Sequence, residues 1–195
     1  MRTSTFERKT KETDIRLDLD LDRAGDAEAD TELPFLNHML EAFATHGRFG
    51  LAMRARGDLA VDPHHLVEDC GIALGTAVAQ ALAQGGAVQR AGCFSFPMDG
   101  SLASAAVDLC GRPNLVWTVA LEKTPLGTVV PDLFRDFFKG LTDGLRATVH
   151  LAVPYKDNDH HALEAVFKAF GRALRQAVEP VGGAGPLSSK GRIDD

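Results

Sequence analysis

Two copies of one group of histidine and glutamate side chains give the sequence its most specific chemistry. Each group has two adjacent histidines and then, about one helical turn on, a glutamate, and the copies are 96 residues apart. The members are His64, His65 and Glu68, and then His160, His161 and Glu164. Imidazole and carboxylate ligands suit Zn²⁺, Mn²⁺, Fe²⁺ or Ni²⁺. Adjacent side chains diverge by about 100° around a helix axis, so the two histidines of each pair are predicted to serve different metal sites.

The duplication favours function over coincidence. One isolated group of this kind would more often be an exposed polar helix start, whereas two matching copies indicate a shared chemical task. His38 is a further candidate ligand, because it lies near the start of a predicted helix, where the helix dipole disfavours a cation. A neutral imidazole at that position favours metal binding.

A second set of side chains would suit a phosphate monoester. Its members are Arg90, Arg112, Lys168, Ser188, Ser189 and Lys190. Arginine and lysine hold phosphate through charge-assisted hydrogen bonds, and hydroxyl groups add further donors. Each residue is weak evidence alone, since a lysine on a helix usually faces water and residues near a terminus usually form a tail.

Two similar folding units are needed to position the repeated groups. Pro34 and Pro131 each open an amphipathic helix, where the first turn needs no amide donor. Strands are predicted at 13–21, 49–56, 93–97, 102–109, 115–121 and 147–155. Each half is predicted to run strand, strand, helix, strand, helix, as an α+β unit with helices packed on one face of a mostly antiparallel sheet. The predicted units are residues 1–87 and 88–181, followed by a tail at 182–195.

Composition narrows the class of protein. Apolar residues make up 45% of the chain and charged residues 25%, which is typical of a globular protein. A net charge of −6 gives no support for nucleic-acid binding through bulk charge. The sequence begins without a signal-peptide pattern and contains no membrane-spanning apolar run, so no membrane partner is expected. Three cysteines without a Cys-x-x-Cys pair favour the reducing cytoplasm.

The sequence resembles the imidazoleglycerol-phosphate dehydratase family over almost its whole length. Seven stretches carry the resemblance in the family's order: 11–13, 33–40, 62–69, 97–99, 108–113, 158–161 together with 167–170, and 188–191. The family comprises carbon–oxygen lyases of histidine biosynthesis with duplicated α+β halves. The resemblance implies two Mn²⁺ ions per subunit, or other divalent metals, bound at subunit interfaces. It also implies a homo-oligomer in which trimers assemble into a hollow shell of 24 subunits.

The resemblance further implies a role for each candidate residue. The metal ligands would be His38, His64, His65, Glu68, His160, His161 and Glu164. The catalytic carboxylates would be Glu12, Glu68 and Glu164, with Glu12 as the acid–base group. The substrate would contact Glu12, His38, His64 and His160, and its phosphate would contact Arg90, Arg112, Lys168, Ser188, Ser189 and Lys190. The tail at 182–195 would close over that phosphate.

Asp136 departs from the family pattern. The family has a histidine ligand at this position, before a pair of phenylalanines. Aspartate is shorter than histidine, is a harder ligand and brings a negative charge. The expectation is that Asp136 binds the metal directly or through water, and the alternative is a solvated helix residue paired with Arg135 or Lys139.

The implied reaction explains why a metal site and a phosphate site coexist. Imidazole glycerol phosphate must lose water although no carbonyl group acidifies the carbon that loses its proton. An imidazolate held between two metal ions could expel the neighbouring hydroxyl and give an enol that collapses to the ketone of imidazole acetol phosphate. A carboxylate would shuttle the protons, and the distant phosphate would orient the ring.

Two other functions use parts of the same residue set. A metal-dependent phosphate-ester hydrolase would need a water nucleophile and usually a carboxylate-rich site, whereas the ligands here are mostly imidazoles. A noncatalytic metal-storage or metal-sensing shell would keep the histidines but would not need Arg90, Arg112 or Lys190. Release of free phosphate would indicate the hydrolase, and binding of phosphate esters through those cations would argue against storage.

Overall fold

The computed structural model describes residues 1–182, which form an α+β protein. The first half contains β1 (Thr3–Lys9), β2 (Thr13–Asp20), β3 (Ala27–Asp30), α1 (Pro34–Gly47), β4 (Gly50–Gly57) and α2 (His64–Leu82). The second half contains β5 (Ala91–Met98), β6 (Ser101–Asp108), β7 (Asn114–Thr118), α3 (Leu133–Leu145), β8 (Thr148–Tyr155) and α4 (Asp159–Ala177). The same order of elements in both halves confirms the predicted duplication.

Each half forms its own four-stranded sheet, and the two sheets have the same topology. The strand orders are β1-β2-β4-β3 and β5-β6-β8-β7. Three neighbouring strands of each sheet are antiparallel, and the last edge strand runs parallel to its neighbour. The mostly antiparallel sheets predicted from the sequence are therefore confirmed, with one parallel edge pair in each.

The helices form a layer between the two sheets. In β2, Ile15, Leu17 and Leu19 are buried while the alternate positions carry charge, so one face of the strand meets helices and the other meets water. Helices of opposite halves also pack on each other, α1 on α4 and α2 on α3. Because each helix packs against a helix of the other half, side chains from the two halves meet near the helix starts.

Glycines allow α2 and α3 to approach closely. A Cβ atom built on Gly71 would lie 2.0 Å from the carbonyl oxygen of Phe137, and one on Gly75 would lie 2.2 Å from that of Leu141. No larger residue fits at this separation, because real Cβ contacts essentially never fall below 3.0 Å. The small residues therefore set how near α2, with its His64 and Glu68, comes to Asp136 on α3.

The predicted order of elements was wrong in one respect, since three strands precede the first helix of each half. Two strands of the first half were not predicted: β1, which has one large apolar side chain, Phe6, and β3, which is four residues long with alanine as its apolar residue. Both are edge strands that depend on their neighbours more than on their own pattern. The boundaries at 87 and 181 stay predictions, and the tail beyond residue 182 lies outside the described residues. No helix in residues 1–182 is long and apolar enough to cross a membrane.

Candidate functional site

Three predicted ligands from opposite halves meet where α1 packs on α4. His38 Nε2 and His160 Nε2 each lie 3.3 Å from Glu164 Oε2, and we call these residues the first cluster. The three ligand atoms all lie within 4.8 Å of one another. Atoms bound to one ion at about 2.1 Å lie roughly 3.0–3.4 Å apart, so the spacing fits a metal centre. The ring of Phe35 packs edge-on against His160 at 5.2 Å and helps to fix that ring.

Glu164 is held as a carboxylate although its side chain is only 9% exposed. Burial alone would raise its pKa, but the hydrogen bond from Lys168 and the neighbouring charges of Lys168 and His38 outweigh burial and lower the pKa. Lys168 Nζ lies 2.7 Å from Glu164 Oε1. The first cluster therefore contains a carboxylate whose ionised form is favoured and whose charge is compensated by a lysine.

The equivalent residues on α2 and α3 form a looser group, the second cluster, of His64, Glu68 and Asp136. Asp136 Oδ2 lies 3.6 Å from His64 Nδ1, and Glu68 Oε2 lies 3.9 Å from His64 Nε2. The carboxylates thus face different nitrogens of one ring. The structure brings these predicted residues together, but they converge less closely than those of the first cluster.

Asp136 occupies the position that His38 has in the other half. His38 and Asp136 each lie ten residues before the left-handed residue that caps their helix, Arg48 in α1 and Arg146 in α3. Asp136 therefore faces the second cluster, and the described contacts give it no partner in Arg135 or Lys139, since Lys139 pairs with Asp143. An aspartate side chain thus lies in the second cluster at the position where an imidazole lies in the first.

The second histidine of each pair turns away from its own cluster; helical spacing predicted that the two histidines diverge, but not which of them would lie beside the glutamate. His65 Nδ1 lies 3.2 Å from both carboxylate oxygens of Asp58. His161 Nδ1 lies 3.0 Å from Asp157 Oδ2. These hydrogen bonds are the main reason that the pKa of each histidine is raised above the usual imidazole value. The hydrogen bond from the Ser101 hydroxyl lowers the pKa of Asp157 most, and the hydrogen bond with His161 lowers it further.

Glu12, the predicted acid–base residue, is exposed in the turn between β1 and β2. Its carbonyl oxygen accepts a hydrogen bond of 3.0 Å from the backbone N–H of Asp58. The hydrogen bond to Asp58 raises the pKa of His65 most, and the negative charge of Glu12 raises it further. Glu12 therefore lies close enough to His65 for its charge to act on that imidazole.

Among residues 1–182, the predicted phosphate-binding side chains do not all meet in one place. Arg90, whose backbone N–H bonds to the carbonyl of Ala177, lies at the carboxyl end of α4, and its side chain pairs with Asp108 at 2.8 Å. Arg112 lies at the same end of the second sheet, where its carbonyl accepts from Thr148. Along α4, this end is about 14 Å from Lys168. Ser188, Ser189 and Lys190 lie outside the described residues.

The residues that support the candidate ligands were not predicted from the sequence. Asp58 and Asp157 hold the second histidines, yet they precede them by different distances, so the repeat gave no sign of them. Asp69, buried on α2, accepts hydrogen bonds from Thr13 at 2.6 Å and Arg8 at 2.8 Å. It anchors the strand that follows Glu12 to the helix that carries His65. The sequence offered one sign of this support, the aspartate that directly follows Glu68.

Fold and site together define a duplicated α+β protein with imidazole–carboxylate clusters at the interface of its halves. The sequence model of imidazoleglycerol-phosphate dehydratase matches residues 31–174. The chain is 50% identical over 194 residues to the imidazoleglycerol-phosphate dehydratase of Geobacter metallireducens, covering 98% of this chain and 99% of the relative. It is 47% identical to that of Methanoculleus marisnigri, covering 99% and 100%.

Solved structures agree with the sequence relatives. The imidazoleglycerol-phosphate dehydratase of Staphylococcus aureus superposes with a TM-score of 0.83 at 32% identity, covering 92% of this chain and 99% of that one. The Pyrococcus furiosus structure, determined in complex with (S)-C348, gives a TM-score of 0.82 at 36% identity and covers 96% and 100%. The chain belongs to the imidazoleglycerol-phosphate dehydratase family. It is thus a dehydratase of histidine biosynthesis, as the sequence resemblance implied.

Proposed function

We propose that this chain dehydrates imidazole glycerol phosphate to imidazole acetol phosphate at a site that holds two Mn²⁺ ions per subunit. The observation that carries the proposal is the convergence of His38, His160 and Glu164 at ligand-like separations. His64, Glu68 and Asp136 would hold the second ion once their side chains turn so that both carboxylates face the same nitrogen of His64, with Asp136 reaching the ion directly or through water. Other divalent metals with the same preference for imidazole and carboxylate could occupy both sites.

The active site is completed by other copies of the chain in this proposal. His65 and His161 lie outside the clusters of their own chain, and each keeps Nε2 as a ligand for an ion held by a neighbour. Arg90 and Arg112 lie far from Lys168 along α4, so a phosphate grip that uses all three also needs more than one copy. A homo-oligomer in which trimers build a 24-subunit shell would complete both the metal sites and the phosphate site. The cysteine content favours the cytoplasm as the location of this assembly.

When bound, the metal would supply Lewis acidity that favours loss of the N–H proton from the substrate's imidazole ring, and the deprotonated ring is a better electron source. The protein's own side chains transfer protons and bind the phosphate. Glu12, exposed at the hairpin turn, takes and returns protons within hydrogen-bond reach of the substrate. Lys168 and the two arginines bind the phosphate, and Ser188, Ser189 and Lys190 close over it. That remote binding orients the reacting carbons beside Glu12.

The test combines a metal count with identification of the product. Purified protein is stripped with chelator, reloaded with Mn²⁺ and incubated with imidazole glycerol phosphate. The proposal expects two ions per chain, activity that depends on them, and a ketone product that retains its phosphate. Free phosphate would indicate hydrolysis, and full activity in the stripped protein would contradict metal dependence.

Assembly is tested with the same samples. Shared ligands from several subunits would lose their ion on chelation, so the particle is expected to shrink and to grow again when Mn²⁺ is restored. Light scattering measures this change. A large particle that is unchanged after complete metal removal would contradict the interfacial position of the ions.

A further inference from the structure

Each second histidine is contacted at Nδ1 by a carboxylate that the proposed reaction leaves without a role. Asp58 lies in the loop before α2 and Asp157 in the loop before α4. An ionised carboxylate only accepts hydrogen bonds, so the ring nitrogen that faces it carries the proton. In a neutral imidazole the other nitrogen, Nε2, then has its lone pair free.

We propose that Asp58 and Asp157 are positioning residues, which orient His65 and His161 and fix the tautomer whose Nε2 atom binds metal. This inference rests on the proposed function and deepens it. A carboxylate behind a metal-binding histidine also makes the ring a more basic ligand. The described contacts suit this role, because Nδ1 of each ring lies within 3.2 Å of the carboxylate.

The two halves reach the same contact by different routes. Asp58 is seven residues before its histidine, and its backbone N–H is tied to the carbonyl of Glu12 at 3.0 Å. Asp157 is four residues before its histidine and is tied through its side chain to the hydroxyl of Ser101 at 2.6 Å. Loops of different construction thus bring a carboxylate to the same ring atom and brace it against the first hairpin of their own half. A chance contact at a helix start would not survive that difference in spacing.

Other polar groups near the rings do not replace these carboxylates. Asp99 Oδ2 lies 3.7 Å from His161 Nδ1, too far for a hydrogen bond. The side-chain nitrogen of Asn158 lies 3.0 Å from the same atom, but the oxygen of that amide caps α4 by accepting from the His161 backbone N–H. The bond to the ionised carboxylate is charge-assisted and stronger than one from a neutral amide.

Asp58 offers the cleaner test, because Asp58→Ala removes the carboxylate but keeps the backbone hydrogen bond to Glu12. Metal-free full-length protein is titrated with Mn²⁺, and free Mn²⁺ is read from its electron paramagnetic resonance signal. Asp58→Ala is expected to weaken one of the two sites by about 10–100-fold. Asp58→Asn, which keeps an acceptor oxygen without the charge, is expected to fall between the parent and alanine. Asp157→Ala is expected to weaken the other site.

The control is Asp26→Ala, which removes one exposed aspartate in the loop between β2 and β3, at the opposite end of β2 from Glu12. Its Mn²⁺ affinities should stay within about twofold of the parent, and the melting temperature of metal-free Asp58→Ala should stay close to that of the control. Parent-like binding by Asp58→Ala at both sites would overturn the positioning role and leave the proposed metal centre standing. A parent protein that binds no Mn²⁺ would overturn both. If Asp58→Ala fails to fold, the near-isosteric Asp58→Asn decides by the same titration.

Discussion

The close contact between α2 and α3 predicts that Gly71→Ala will damage one metal site and spare the other. The added Cβ would lie 2.0 Å from the carbonyl oxygen of Phe137, whereas real Cβ contacts essentially never fall below 3.0 Å. Because the obstacle is backbone, the helices must separate by about 1 Å. The same movement would widen the 3.6 Å separation between His64 and Asp136 to roughly 4.6 Å.

The energetic cost has two opposing parts. Overpacking a well-packed interior costs about 1–3 kcal/mol, and replacing a helical glycine by alanine returns up to about 1 kcal/mol through helix propensity. A net loss of about 1–2 kcal/mol should lower the melting temperature by roughly 2–8 °C for a chain of this length. Mn²⁺ binding at the second cluster should weaken, while the first cluster, held by α1 and α4, should keep its affinity.

The matched control is Gly86→Ala, a glycine in the loop after α2 at which an added Cβ meets nothing within 4 Å. Both variants are compared by thermal denaturation of the metal-free protein and by Mn²⁺ titration. If Gly71→Ala melts with the control and binds both ions as the parent does, then close helix approach does not set the geometry of the second cluster.

Three further predictions concern the proposed chemistry. Asp136→His should tighten Mn²⁺ binding at the second cluster and Asp136→Ala should weaken it; equal affinities in all three proteins would show that Asp136 is no ligand. Glu12→Gln should keep metal and substrate binding but lower turnover by about 10²–10⁴-fold, and turnover within about threefold of the parent would reassign Glu12 to structure. Because hydrogen bonds to carboxylates raise the pKa of His65 and His161, these rings protonate at higher pH than free imidazole. Mn²⁺ affinity should therefore begin to fall, as pH decreases, above about pH 6.5, and a titration series that shows no loss until well below that pH would contradict this.

The sequence by itself determined the features that depend on local pattern. Helical spacing predicted that the two histidines of each pair serve different sites, because neighbours on a helix diverge by about 100°. The repeat predicted duplicated α+β halves, and the alternation of Ile15, Leu17 and Leu19 with charged residues predicted a strand with one buried face. These properties follow from one segment of chain and need no knowledge of what packs against it.

Only the tertiary structure decided which segments meet. Helix α1 of the first half packs against α4 of the second half, so His38 lies beside His160 and Glu164. Neither repeat alone contains all three residues. The short edge strands β1 and β3 form because neighbouring strands supply their hydrogen bonds. Likewise, Asp58 is recognisable as the partner of His65 only after the loop has folded back, because a hydrogen bond across a loop depends on its path and leaves no periodic pattern in the sequence.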